Sequence, residues 1–398
     1  MATTLAAIDA ALKQYYKGGR LTKIAYDKHP LMNKIKAERN LFGRNTPLVP
    51  WFANTAGTSA TFAKAQANVS AEKAGAFLMS PNKYYAIATI DMLAIAAANQ
   101  DDATFLKALT DSVDGATRQI GRQMARQLYG TSSGYRGKIA AGGVSGATIT
   151  LENPGDIVNF EVGFKIVQSA DNITLGSGAS SIQSVDRRAG KFTLASGTGY
   201  TAGDFLYLDG DFNLCLHGIR DWIPTTAPGG ADNFLGQNRS FDSRLYGQYL
   251  DASTTGDTIE TAIGKMDMYI AREGGTMDTV FLNPINFDQF RNALGSQAIY
   301  DKAASKTVAD VSFSTINFAG QGAIVECISD PDTPQNEAVC LQMDSWVYKS
   351  VGEVPHISNA NGGQLIAMAS EDSGELRLAA YSELGCYAPA WNGRVKVA

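Results

Sequence analysis

Apolar residues recur every third or fourth position through Phe105, Leu109, Val113, Ala116, Ile120, Met124 and Leu128. That spacing predicts one long amphipathic helix over residues 101–129. Its acidic start and basic end complement the helix dipole, and Gly130 ends it. At 1.5 Å per residue the rod would be about 40 Å long. A second such pattern covers 258–272, where Ile259, Ala262, Ile263, Met266 and Ile270 are apolar, before Gly274 and Gly275. Asn283 is placed to cap a third helix, with Pro284 at its first position and Gly295 beyond its end. Shorter helical patterns cover 4–17, with Leu5, Ile8, Leu12 and Tyr15 or Tyr16 on one side, and 31–37.

Elsewhere the period is two. Strands are predicted at 147–151, 164–168, 181–186, 191–194 and 205–208, punctuated by turn residues such as Pro154-Gly155-Asp156 and Asp209-Gly210-Asp211. These form a small all-β unit, a barrel or sandwich, inserted in a mixed α+β chain. Further strands are expected at 84–93, 279–282, 323–328, 338–343, 365–369 and 376–387. Residues 44–90 are different. They are small and polar, with few large apolar side chains: Trp51, Phe52, Phe62, Val69, Phe77 and Leu78. Alternation at 60–66 suits exposed strands. So little apolar surface does not make a domain. The segment is a floppy loop or, the reading its flanking strands favour, a long hairpin whose partners come from another chain.

The chain of 398 residues has a net charge of −5 and four cysteines, Cys215, Cys327, Cys340 and Cys386, with no C-x-x-C pair. That argues against a disulfide framework and implies reduced thiols. The negative balance argues against a dedicated nucleic-acid reader. The longest apolar run, 92–98, is too short to span a membrane. Met1 to Asp9 lack a basic start, so no signal peptide is expected. Residues 1–45 carry nine Lys or Arg against Asp9, Asp27 and Glu38, about +6, which leaves the remainder near −11. This arm is either a solvated helix or one that docks on an acidic neighbour or phosphate. Arg118, Arg122 and Arg126 fall at i, i+4 and i+8 of the long helix. They are a solvated stripe with local ion pairs, or a row of contacts to a polyanion.

Candidate chemistry is thin. Gly130, Ser132 and Gly134 match G-x-S-x-G, but a helix precedes them where a nucleophile elbow needs a strand. Asp209, Asp211 and Asn213 begin like a calcium loop, yet Leu214 and Arg220 stand where Gly and Glu are required. Cys215 and His217 lack further zinc ligands. His29 and His356 are isolated. No catalytic residue, metal site or cofactor is assigned, and the chain is not expected to be an enzyme.

The order of parts resembles the major capsid protein of tailed bacteriophages, the Hong Kong ninety-seven-like fold. The inserted β-domain of some members is similar to Asp156–Phe160 with Gly163–Val167, Ser184–Arg188, Ala202–Asp204 and Asp209–Asp211. Gly218–Pro224 with Phe234–Gly236 and Asn238–Ser240 is similar to the link into the axial domain. Phe281–Pro284 with Phe290–Leu294 is similar to a strand–helix corner there. The resemblance implies an arm (1–43), an extended loop (44–90) and a peripheral domain with a spine helix (91–136). It then implies the inserted β-domain (137–217), a peripheral linker (218–255), an axial domain (256–345) and a return to the peripheral domain (346–398). It further implies self-assembly into pentamers and hexamers of an icosahedral shell around double-stranded DNA. Portal, scaffolding and decoration proteins would be partners, with no membrane, and the virion would be assembled in host cytoplasm. Loop residues Trp51, Phe52, Phe62, Lys64, Val69 and Phe77 would contact neighbouring subunits, and Arg118, Arg122 and Arg126 would face packaged DNA. No large pro-segment is expected before the loop. Lys64, Lys73, Asn359 and Asn361 have the residue types that some members cross-link, without a spacing that identifies a set. An encapsulin-like compartment shell and a β-rich surface-binding protein are the alternatives.

Overall fold

In a computed structural model of the chain, buried apolar side chains gather into three separate cores, as a chain too long for a single core should. The structure describes residues 14–17, 19–43, 45–50, 57–69, 75–91, 102–176, 178–294, 315–358, 365–367 and 373–397. Trp51, Phe52, Lys73, Asn359, Asn361 and most of the first predicted helix lie outside them.

The first core is built around the long helix, Asp102–Tyr129. Val113, Ile120, Met124 and Leu128, spaced by seven and four, are buried along one stripe. The stripe packs on the sheet strands Asn82–Asp91 and Ser373–Cys386 and on the short arm helix Arg20–Tyr26. Ser373–Cys386 is the organising strand. It pairs antiparallel with Asn82–Asp91 from Ser373↔Asp91 to Ser382↔Asn82. It also pairs with Trp346–Ser350, His356–Ile357 and Leu365–Ala367. Lys36–Glu38 adds in parallel to Trp346–Ser350.

The second core lies under a six-stranded mixed sheet, in the order Gln248–Asp251, Gly393–Lys396, Glu337–Leu341, Thr279–Leu282, Ile324–Ser329, Thr315–Ala319. Helices Ile259–Arg272 and Pro284–Leu294 pack against it. Asn283 accepts the Ile285 N–H at 3.2 Å, as the expected cap does. The third core fills a closed barrel of six strands between Gly137 and Leu208. Phe160 and Phe192 stack inside it with centroids 4.9 Å apart.

The first two lobes are joined by a fully buried Asn392. Its Oδ1 accepts the Trp346 indole N–H at 2.7 Å and the Gln342 N–H at 2.9 Å, and its Nδ2 donates to Ser345 Oγ and the Ala388 carbonyl. With every group of the amide used, a polar side chain is tolerated in a dry seam.

Several expectations need correction. Residues 62–67 form a helix, Phe62–Ala67, not exposed strands. The predicted helix over 31–37 is the five-residue helix Pro30–Lys34, followed by the strand Lys36–Glu38. The barrel has a strand not anticipated, Gly137–Ser145. Gln248–Asp251 and Gly393–Lys396, expected in the linker and the return, pair with each other in the six-stranded mixed sheet. Part of the basic arm docks on this chain's own acids: Lys34 pairs with Glu326, and Arg39 with Glu353 at 3.1 Å.

Candidate assembly surfaces

The extended loop is anchored at its base and bare at its middle. Strands Thr46–Leu48 and Phe77–Met79 pair antiparallel, and Leu48, Phe77 and Met79 enter the first core. Phe77 meets the rings of Trp222 at 4.8 Å and Phe234 at 5.9 Å, both edge-on. It is fully buried within its own chain, so as a contact to a neighbouring subunit it is corrected to an anchor. The Phe62–Ala67 helix has no buried residue. Phe62 is 83% exposed and Val69 65% exposed, and Lys64 is also exposed. Six residues with no buried face do not hold a helix in water unaided.

A second bare surface was not singled out from the sequence. Along Asn82–Asp91, Tyr84, Ala86 and Ala88 turn toward the core, while Lys83, Tyr85, Ile87 and Thr89 turn out. Tyr85 and Ile87 are each more than half exposed. Among the described residues, one edge of this ten-residue strand pairs with Ser373–Cys386 and the other has no partner strand. A long apolar edge strand is an association site unless something covers it. The signal was present in the sequence: both alternating sets, Tyr84–Ala86–Ala88 and Tyr85–Ile87, are apolar.

The three helix arginines do not share one environment. Arg118 is exposed. Arg122 pairs with Glu161 of the barrel and donates to the Val158 carbonyl at 3.1 Å. Arg126 is buried, 3.7 Å from Asp332. The helix dives beneath the barrel and the axial lobe, so a stripe solvated at 118 becomes a contact at 122 and interior at 126. Arg126, expected to face DNA, is thus an interior position, while Arg122 is half-buried and paired with Glu161.

The remaining motifs serve structure. Ser132 lies in the turn after the long helix, where its N–H donates to the Asp221 carboxylate at 2.6 Å. Asp211 is buried against Arg136 at 2.6 Å. Burial pushes the Cys215 thiol up to about 12, and it lies 3.6 Å from the Asp211 carbonyl. His217 sits against Glu383, which accepts its backbone N–H at 2.9 Å. Among the described residues, no cluster of His, Cys, Asp and Glu is arranged to hold a metal ion, and no helix is long and apolar enough to cross a membrane.

A platform sheet with a long helix, an anchored extended loop, and an axial sheet with two helices are the parts of one known design. Superposed on the cyanophage A-1(L) capsid, the chain aligns over 93% of its own length and 92% of that chain, with a TM-score of 0.53 at 11% identity. The fold is that of the Hong Kong ninety-seven-like capsid subunits. Other structures aligning along nearly their whole length include the capsid of an empty GTA particle (TM-score 0.48, 7% identity, 93% and 97% covered). The holo-SrpI encapsulin complex from Synechococcus elongatus PCC 7942 also aligns (TM-score 0.42, 9% identity, 98% and 94% covered). Neither protein-family models nor curated protein sequences give a match. The capsid fold here carries the closed barrel as an insert between the long helix and the link to the axial lobe.

Proposed function

We propose that this chain is the major shell subunit of a tailed phage, assembling as pentamers and hexamers into an icosahedral capsid around double-stranded DNA. The observation that carries the reading is the bare loop. A helix with no buried residue, starting at the exposed Phe62 and followed by the exposed Val69, belongs to a loop whose base is locked into the core by Phe77 and Met79. A second copy supplies the missing apolar partner, and the open edge of Asn82–Asp91 offers backbone pairing to such a copy. A subunit engaging several neighbours would bury on the order of several thousand Å², and many weak contacts in a closed shell hold each copy in place. Lys64 is exposed on the same helix. Arg118, the helix arginine left exposed, contacts the packaged genome through phosphate, without base readout. The subunit has a structural role, with portal, scaffolding and decoration proteins as partners in the virion.

The test is electron microscopy of the protein coexpressed with its assembly partners, followed by nuclease digestion of purified particles. Closed shells with protected DNA are expected. Shells that protect only protein cargo would make it a compartment shell, and a soluble monomer with an ordered loop would refute assembly altogether.

A further inference from the structure

A cavity of about 60 Å³ lies where the long helix, the barrel and the axial lobe meet. It has room for a group larger than one water molecule. Its walls carry three arginines from different elements: Arg126 from the helix, Arg136 at the barrel entry and Arg220 from the link. Two of them are fully engaged. Arg136 donates to Asp211 at 2.6 Å and also to Gln123. Arg220 donates to Glu337 from Nε at 3.3 Å and from Nη2 at 2.9 Å.

Arg126 is different. It is 92% buried, yet its Nε and Nη1 have no hydrogen-bond partner. Its nearest acid, Asp332, lies 3.7 Å from Nε and gives its other oxygen to His29 Nδ1 at 2.5 Å. The next residue on the helix, Gln127, is also buried and lines the cavity with its Nε2 unpartnered. Buried donors without a partner are costly, the more so when charged. Burial pulls the Arg126 guanidinium down to about 9, with Arg122 and Arg136 acting in the same direction and Asp332 against it. Two carboxyls, Asp156 and Asp332, share the walls, and burial pushes Asp156 up to about 7; the donors left without an acceptor are Arg126 Nε and Nη1 and Gln127 Nε2.

We propose that this cavity binds a small free oxyanion of the phosphate class, held by Arg126 and Gln127, that ties the barrel to the long helix and the axial lobe. At about 60 Å³ the space fits a small free anion and not a polymer backbone. Bound there, the anion accepts from the orphaned guanidinium and amide, and it stabilises the folded chain in proportion to its occupancy.

The test uses the full chain and inorganic phosphate, titrated against chloride at constant ionic strength, with Tm and calorimetry as readouts. A saturable rise in Tm specific to phosphate and one site per chain are expected. Arg126→Gln abolishes the response, Gln127→Met weakens affinity about tenfold, and Arg291→Gln, an exposed arginine on the helix Pro284–Leu294 away from the cavity, leaves it unchanged. Equal responses to phosphate and chloride, or an undiminished phosphate response in Arg126→Gln, would overturn the proposal. If Arg126→Gln does not fold, Gln127→Met decides, and unchanged affinity in that variant overturns it.

Discussion

Gly121 marks the point where the arm helix Arg20–Tyr26 crosses the long helix. A methyl group there would lie 2.3 Å from the Ala25 carbonyl oxygen, 2.8 Å from its Cα and 2.9 Å from its carbonyl carbon. Gly115, earlier on the same helix, would meet nothing within 4 Å. Replacing Gly by Ala inside a helix gains about 1 kcal/mol from propensity. At Gly115 that gain stands alone, so Gly115→Ala is expected to stabilise by about that amount. At Gly121 the obstruction is backbone and cannot swing aside. Restoring an ordinary carbon–oxygen separation of about 3.3 Å requires the arm to withdraw by about 1 Å. Overpacking of this kind costs about 1–3 kcal/mol, so Gly121→Ala should fall about 1–3 kcal/mol below Gly115→Ala. Withdrawal also strains the Tyr16 hydroxyl bond to Asp114, now 2.8 Å. The assay is urea unfolding of the unassembled chain followed by circular dichroism. Midpoints are compared, because three cores need not unfold as one. Tryptic cleavage at Arg20, Lys23 and Lys28 gives a second readout of arm docking. Equal midpoints and equal protection in the two alanine variants would refute the steric argument.

Three further outcomes are expected. Phe62→Asp combined with Val69→Asp should abolish particles in electron micrographs while moving subunit stability by no more than about 0.5 kcal/mol. Both side chains already face solvent in the isolated chain. Asp330→Ala should destabilise by about 2–5 kcal/mol in urea unfolding. It strips the acceptor from the buried Tyr129 hydroxyl at 2.8 Å and from the partly buried Asp332 N–H at 2.9 Å. Asp330→Asn, which keeps an accepting oxygen, should cost less. For His217, burial lowers the pKa, but the hydrogen bond and charge of Glu383 outweigh it and raise it above 6.5. Its contribution is therefore complete below 6.5 and lost as pH rises through the folded-state value. A Tm–pH profile should show a decline above 6.5 that His217→Gln flattens. An unchanged slope in that variant would remove His217 as its source.

Where packing and period agreed, the sequence was legible. The helices Asp102–Tyr129, Ile259–Arg272 and Pro284–Leu294 follow from apolar spacing, and five barrel strands follow from alternation between turn residues. The sixth, Gly137–Ser145, was hidden because Ala140, Ala141, Gly142 and Gly143 give no apolar alternation, and its register shifts between Ile139 and Val144. The loop helix was mistaken for strand because alternating Ala and polar residues also suit a helix when neither face is buried. The arginine row shows a different limit. Spacing places three side chains on one helix face, but what covers that face comes from Glu161 and Asp332, distant in the chain. The pairing of Gln248–Asp251 with Gly393–Lys396 is equally non-local, and short segments carry no mark of so remote a partner.

The partners of Ser373–Cys386 bear on how a copy reaches its native state. The barrel draws all its strands from one contiguous stretch, so its closure needs only short chain loops. The platform cannot form until Asn82–Asp91 meets a strand lying beyond both the barrel and the axial insertion. Such high contact order predicts a slow search. Throughout it, the strand bearing Tyr85 and Ile87 is unpaired along both edges. Newly made copies are therefore most prone to adhere wrongly to one another in that interval, and chaperone assistance should raise the yield of competent subunits more than it raises their final stability.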